Sequence, residues 1–201
     1  MSQIEHPLIL EGERVRLIPL QKEHLPELIE AGKESIIWEQ LPIDGSRKGS
    51  MAMHVNEAIL KRVNGDQYPF SVVDKIKNKI IGTTRFFEIF LQHKKLEIGW
   101  TWYDPDYWGR GYNTECKLLL LTYCFEQLKL NRVQFKTRNT NFRSAAAIKK
   151  IGAKFEGIMR KDRIMPDSVV RDTMIFSIID EDWKDVKPHL EHMLLLCNIK
   201  V

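Results

Sequence analysis

The sequence predicts one α/β domain, with α+β character because its sheet is mixed. Three observations predict this. The hydrophobic period switches repeatedly between about two and about 3.6 residues. Some predicted strands follow each other through tight turns, as in hairpins, while others are separated by a helix. The chain has 201 residues and 43% hydrophobic content, enough for one core.

The elements follow in order. Residues 14–19 read as a first strand. Leu25, Leu28 and Ile29 recur at helical spacing and predict a helix over 21–32 that stops at Gly32. Pro42, Gly45, Ser46, Gly49 and Ser50 mark a loop over 40–50. Val55, Ile59 and Val63 predict a second helix over 50–63, ended by Asn64-Gly65-Asp66. Phe70 to Val73 and Ile80 to Phe90 form a hairpin around Lys77-Asn78-Lys79. Residues 96–103 alternate Ile98, Trp100 and Trp102 against Glu97, Gly99 and Thr101, and Asp104-Pro105-Asp106 breaks the strand. A Gly-containing loop over 108–113 opens a helix from Thr114 to about Lys129. Val133, Phe135 and Thr137 alternate with Gln134, Lys136 and Arg138. A helix over 142–151 stops at Gly152. Phe155 to Ile164 and Val169 to Ile179 form a last hairpin around Met165-Pro166-Asp167-Ser168, and a short helix is expected from Asp182. The order is β-α-α-β-β-β-α-β-α-β-β.

Composition excludes several classes. Charges make up 29% of residues, both signs are mixed, and the net charge is +4 without a dense basic run. No direct nucleic-acid binding is expected. Cys116, Cys124 and Cys197 show neither CxxC nor zinc spacing, so no metal is expected, and they suit a reducing cytoplasm. Cys116 and Cys124 read as small core residues. The first seven residues lack the basic-then-apolar pattern of a signal peptide. The apolar clusters are too short to span a bilayer, so a soluble, cytoplasmic protein is expected. The six histidines form no triad or metal constellation.

The chemical signal lies at Trp108-Gly109-Arg110-Gly111-Tyr112-Asn113-Thr114-Glu115, between a predicted strand and a predicted helix. Gly109 and Gly111 permit backbone geometry that a Cβ forbids. Successive N–H groups can then converge on an anion at a helix N-terminus, and a diphosphate is the natural guest. The pattern alone also reads as an ordinary tight turn. It is not a P-loop, because Gly-Lys-Ser/Thr is absent, and the third glycine of the dinucleotide fingerprint is missing.

Glu97-Ile98-Gly99-Trp100, followed by the run from Asp104 to Glu115, closely resembles motif A of the GNAT acetyltransferases. The resemblance is strongest to the subgroup that acetylates ribosomal-protein N-termini. It continues through Asn141-Phe142-Arg143-Ser144, the segment Lys150 to Gly157, Arg171-Asp172-Thr173, and Leu10 to Leu17. It covers about residues 8–183, which would be the acetyltransferase domain, with 184–201 as a C-terminal tail. Two departures stand out. Trp108 replaces the general family's Arg or Gln, although an aromatic is familiar in the ribosomal-type subgroup. Asn113 replaces Gly or Ala.

The resemblance implies a GNAT-like fold whose fourth and fifth strands, 96–103 and 133–138, splay apart around the pantetheine arm of acetyl-CoA. It implies transfer of acetyl from acetyl-CoA to a primary amine, on a small molecule or a protein N-terminus, by direct attack on the thioester. The cofactor would touch Trp102, Tyr103, Gly109, Arg110, Gly111, Tyr112, Asn113, Thr114 and Asn141. Arg110, Arg143 and Lys149 are candidates for the outer phosphate, or solvated surface charges. A backbone N–H near Trp102 would polarise the thioester carbonyl. Glu97 would be the base and Ser144 the acid. Glu97 also reads as an edge-strand carboxylate, and Asn141 and Ser144 as helix-capping residues. Glu115 reads as a helix-dipole partner. Trp183 reads as core. The acceptor pocket is expected from 35–50, 88–95 and 160–170, where Glu39, Asp44 or Glu88 could attract an ammonium. A non-catalytic acetyl-CoA sensor or assembly module is the alternative. A monomer or a homodimer fits the apolar tail equally.

Overall fold

The computed structural model describes residues 4–165 and 168–198. Its strands are β1 (Leu10–Glu11), β2 (Val15–Pro19), β3 (Gln67–Asp74), β4 (Lys79–Phe90), β5 (Lys95–Tyr103), β6 (Arg132–Arg138), β7 (Lys154–Ile164) and β8 (Val170–Ile179). Its helices are α1 (Leu25–Ala31), α2 (Ser50–Val63), α3 (Tyr112–Thr122), α4 (Phe142–Lys150) and α5 (Asp180–Asn198), and a π turn over Tyr123–Gln127 prolongs α3. The strands form one sheet in the order β1-β2-β3-β4-β5-β6-β8-β7. All neighbours are antiparallel except β5 and β6, which run parallel. The expected mixed sheet and element order are present, with one short strand, β1, added before the first expected strand. Of the turn expected at 165–168, Pro166 and Asp167 lie outside the described residues.

Strand alternation gives the sheet two cores. Val72 and Ile81 belong to a large cluster with Cys116, Leu120 and Leu121 of α3 and Ile148 of α4. Their chain neighbours Val73 and Ile80 belong to a second cluster with Leu28 of α1 and Met51 and Val55 of α2. Successive strand residues point to opposite faces, so α3 and α4 cover one face and α1 and α2 the other. The predicted helix over 21–32 is split. A 3₁₀ turn over Lys22–His24 precedes α1, and Gly32 ends it. The tail makes a helix of 19 residues beginning at Asp180. Trp183, Val186 and Leu190 are buried in the large core, and Trp183 stacks on Phe125 at 5.3 Å.

The segment Leu10 to Leu17 is a hairpin pairing Leu10 with Leu17 and Glu11 with Arg16. Its turn clasps α3. Buried Glu115 accepts hydrogen bonds from the backbone N–H of Arg14 at 2.9 Å and of Val15 at 3.3 Å. A Cβ on Gly12 would lie 2.3 Å from Glu115 Oε1, so only glycine lets the turn approach this close. Glu115 therefore ties the first hairpin to the helix, which is more than support for a helix dipole.

Candidate active site

The site arises where β5 leaves β6. The two strands pair only at Lys95↔Arg132, Leu96↔Val133 and Glu97↔Gln134. Beyond Glu97 the ladder ends. The cause lies on the other side of β5, where its register with β4 slips between Thr83 and Arg85. Trp100 and Thr101 there oppose the single residue Thr84, and Trp100 takes a left-handed φ of 51°. This is a β-bulge, which bends its strand and increases local twist. At its far end the backbones of β4 and β5 nearly touch, since a Cβ on Gly82 would lie 2.1 Å from the Trp102 carbonyl oxygen. A cavity of about 440 Å³ fills the gap between β5 and β6.

Glu97 stands at the apex of this V. It is 2% exposed, and it accepts a hydrogen bond from Gln134 Nε2 at 3.1 Å and lies 3.0 Å from Lys136 Nζ. Burial raises its pKa to about 7, against the opposing pull of Lys136 and Gln134. Lys136 also holds Glu88 at 2.8 Å. Glu88 is therefore already paired, and the ammonium-attracting role foreseen for it is weakened.

The loop before α3 has the geometry of an anion cradle. Gly109 (φ 75°) and Gly111 (φ 89°) are both left-handed, and α3 starts at Tyr112. Gly109, Gly111, Asn113 and Thr114 line the cavity, as do Trp102 and Tyr103 from β5. Tyr103 donates its hydroxyl to Asn113 Oδ1 at 3.3 Å. Arg110 and Tyr112 are different. The Arg110 side chain is exposed and away from the cavity lining, and its carbonyl accepts from Arg14 Nη1. The Tyr112 ring turns into the core, edge-on to Tyr107 at 4.9 Å and beneath the Arg14 guanidinium. Neither of these two residues, foreseen as cofactor contacts, is among those that line the cavity. Trp108 proves to be a platform, for the Arg143 guanidinium lies 4.0 Å over its ring and its Nε1 donates to the Tyr103 carbonyl. Arg143 and Lys150 reach the cavity, whereas Lys149 is exposed outside it.

Ser144 and Asn141 line the same cavity. Asn141 caps α4, its Oδ1 accepting the Ser144 N–H at 3.0 Å. Its side-chain oxygen is thus committed to the helix, and its NH₂ is the group left to meet a ligand.

Two buried side chains also escaped the sequence reading. Lys117 of α3 lines the cavity and is 5% exposed. Its Nζ donates to Thr101 Oγ1 at 3.0 Å, and no carboxylate among the described residues pairs with it. Burial lowers its pKa to about 8. A lysine inside the run Cys116–Leu121 was the available signal. The second feature is His54, buried beside Arg85 at 2.7 Å. Burial, and then Arg85, lowers the His54 pKa to about 3, so the ring is neutral. Among the described residues no group of His, Cys, Asp and Glu could hold a metal ion, and no helix is long and apolar enough to cross a membrane.

Residues 14–154 match the family described as Acetyltransferase (GNAT) domain. The N-acetyltransferase YnaD of Bacillus subtilis is 30% identical over 128 residues, covering 63% of this chain and 74% of that protein. A GCN5-related N-acetyltransferase from Brucella melitensis superposes with a TM-score of 0.88 at 27% identity, covering 96% of this chain and 87% of that one. Mycobacterium smegmatis RimJ in complex with CoA-disulfide gives a TM-score of 0.79 at 18% identity over 94% of this chain and 95% of that one, a likeness of fold.

Proposed function

The chain belongs to the GNAT acetyltransferase family and is an acetyltransferase, and from that premise we propose how this cavity transfers acetyl to a primary amine. The acceptor is a small molecule or a protein N-terminus. Acetyl-CoA supplies the activated acetyl group as a thioester. The residues present suit it. The left-handed Gly109 and Gly111 turn backbone N–H groups toward a diphosphate at the start of α3. Arg143 and Lys150 bring positive charge to the same cavity. The strand edges freed beyond Glu97 and Gln134 offer hydrogen-bonding groups to the amides of a pantetheine arm.

The observation that carries the reading is Glu97, buried at the apex of the V with a pKa near 7. A base of that strength accepts a proton from an ammonium at neutral pH and passes it on readily. Lys136 and Gln134 fix its carboxylate. A backbone N–H near Trp102, beside the bulge, polarises the reacting carbonyl. Ser144 gives its hydroxyl proton to the departing sulfur and takes in its place the proton that the attacking nitrogen loses on forming the amide. The test is release of the CoA thiol from acetyl-CoA over an amine panel. Amine-dependent release that falls on replacing Glu97 supports the reading. Tight acetyl-CoA binding with no amine-dependent release would leave a sensor.

A further inference from the structure

Among the described residues the cavity lining has one carboxylate, Glu97, yet four cations stand on its side of the sheet. Register shows which side this is. Glu97 pairs with Gln134, so Gln134, Lys136 and Arg138 alternate along β6 on its face. Arg138 pairs with Thr173 on β8. Arg171, two residues away, shares that face and pairs with Arg163 on β7. Arg138, Arg163 and Arg171 all reach the cavity lining. The opposite face carries Leu96, Val133 and Phe135 and is packed by α3 and α4, the helices that present the glycine loop, Arg143 and Lys150. The arginine group thus stands on the sheet face opposite the helices that carry the glycine loop, although both line the same cavity.

These arginines are poorly compensated. Arg163 and Arg171 sit directly opposite each other, a like-charge pairing that destabilises a ladder. Arg163 has Asp162 at 3.6 Å and Glu88 at 3.8 Å, and Glu88 is shared with Lys136. Among the described residues neither Arg138 nor Arg171 has a carboxylate within 4.0 Å. Among the described residues Arg171 Nε is buried with no hydrogen-bond partner. Burial, and then Arg163, lowers the Arg171 pKa, with Asp162 opposing, Arg138 adding to the drop and Glu97 opposing. An orphaned guanidinium donor is costly, and its natural complement is a planar oxyanion held by two parallel N–H bonds.

Resting on the transfer reading above, we infer that the acceptor carries an anionic group, a carboxylate or a phosphate, which Arg138, Arg163 and Arg171 hold while its amine meets Glu97. Polyamines and other polycations are repelled. The cluster selects among acceptors, and Glu97 does the chemistry.

The test compares matched acceptors by kcat/KM for thiol release. Amino acids and acidic dipeptides are set beside their amides, phosphoethanolamine beside ethanolamine, and putrescine is included. The expected result is a preference of about tenfold or more for the anionic member of a pair, the scale of one charge-assisted bidentate contact. Carboxylate and phosphate arms identify the oxyanion. Arg171→Met and Arg138→Met bring the ratio toward one, and Arg171→Lys restores part of it. A thermal shift with CoA confirms that each variant is folded. If one does not shift, the wild-type ratio and the other variant decide. Preference for amides or putrescine, or a ratio unmoved in folded variants, overturns the inference while amine acetylation stands. No release with any amine, despite bound acetyl-CoA, removes the transfer reading and this inference with it.

Discussion

Replacing Glu97 by Gln separates its catalytic role from its cost to the fold. In the folded protein the carboxyl titrates near 7 instead of 4.5. Between those pH values the folded chain holds a proton that the unfolded chain has released. This stabilising contribution is complete below pH 4.5 and is lost as pH rises through about 7. Linkage for these two values gives a loss of about 2.5 kcal/mol between pH 5 and pH 8. Glu97→Gln keeps the shape and has no proton to lose. Urea denaturation of both proteins at pH 5 and pH 8 should show the variant gaining about 2.5 kcal/mol on the wild type across that range. Other titrating groups are common to both proteins and largely cancel in the difference. In the same variant, amine acetylation should fall by about 10²-fold or more, the usual scale for a general base. The wild-type rate should climb through pH 7. A stability difference independent of pH would refute the buried, raised carboxyl. Undiminished activity would refute its role as base.

Three further outcomes follow from the same structure. Lys117→Met should raise the stability of the ligand-free protein by about 1–3 kcal/mol at pH 7, because a buried lysine without a counter-ion costs more than a methionine. Its depressed pKa makes the wild type gain stability as pH rises from about 8 to 10.5, a slope that the variant should lack in denaturation curves. Gly12→Ala should cost about 1–3 kcal/mol by forcing Glu115 off the Arg14 and Val15 N–H groups, read from the urea midpoint. Asn141→Ala should cost about 1 kcal/mol through the lost α4 cap, and any weakening of CoA binding beyond that is the ligand contact itself.

Much of the fold was legible because its signals are local. β6 alternates Val133, Phe135 and Thr137 inward, and α2 runs from Ser50 to Val63 as its apolar spacing requires. The glycine loop was legible because its left-handed positions favour glycine. What was hidden depends on register. Trp100 looks like one more alternating strand residue, yet it is the bulge that opens the cavity. Arg163 and Arg171 are far from Glu97 in the chain, and only the β6–β8–β7 ladder brings them onto its face. Tyr112 lies inside the loop motif, but the first turn of α3 directs its ring inward. The length of α5 was hidden because Pro188 interrupts its pattern, whereas tertiary packing of Trp183, Val186 and Leu190 sustains the helix.

The most direct test of the central claim is a thermal-unfolding titration with acetyl-CoA, run beside Gly109→Asp. A Cβ added to Gly109 would meet no atom within 4 Å, and Asp tolerates its left-handed φ better than most residues, so this substitution adds negative charge to the loop without crowding it. At a hundredfold excess over Kd the wild type should gain about 2.7 kcal/mol, seen as a rise in Tm, and the variant should lose most of it. No rise in the wild type at millimolar acetyl-CoA would contradict the assignment of the cavity between β5 and β6.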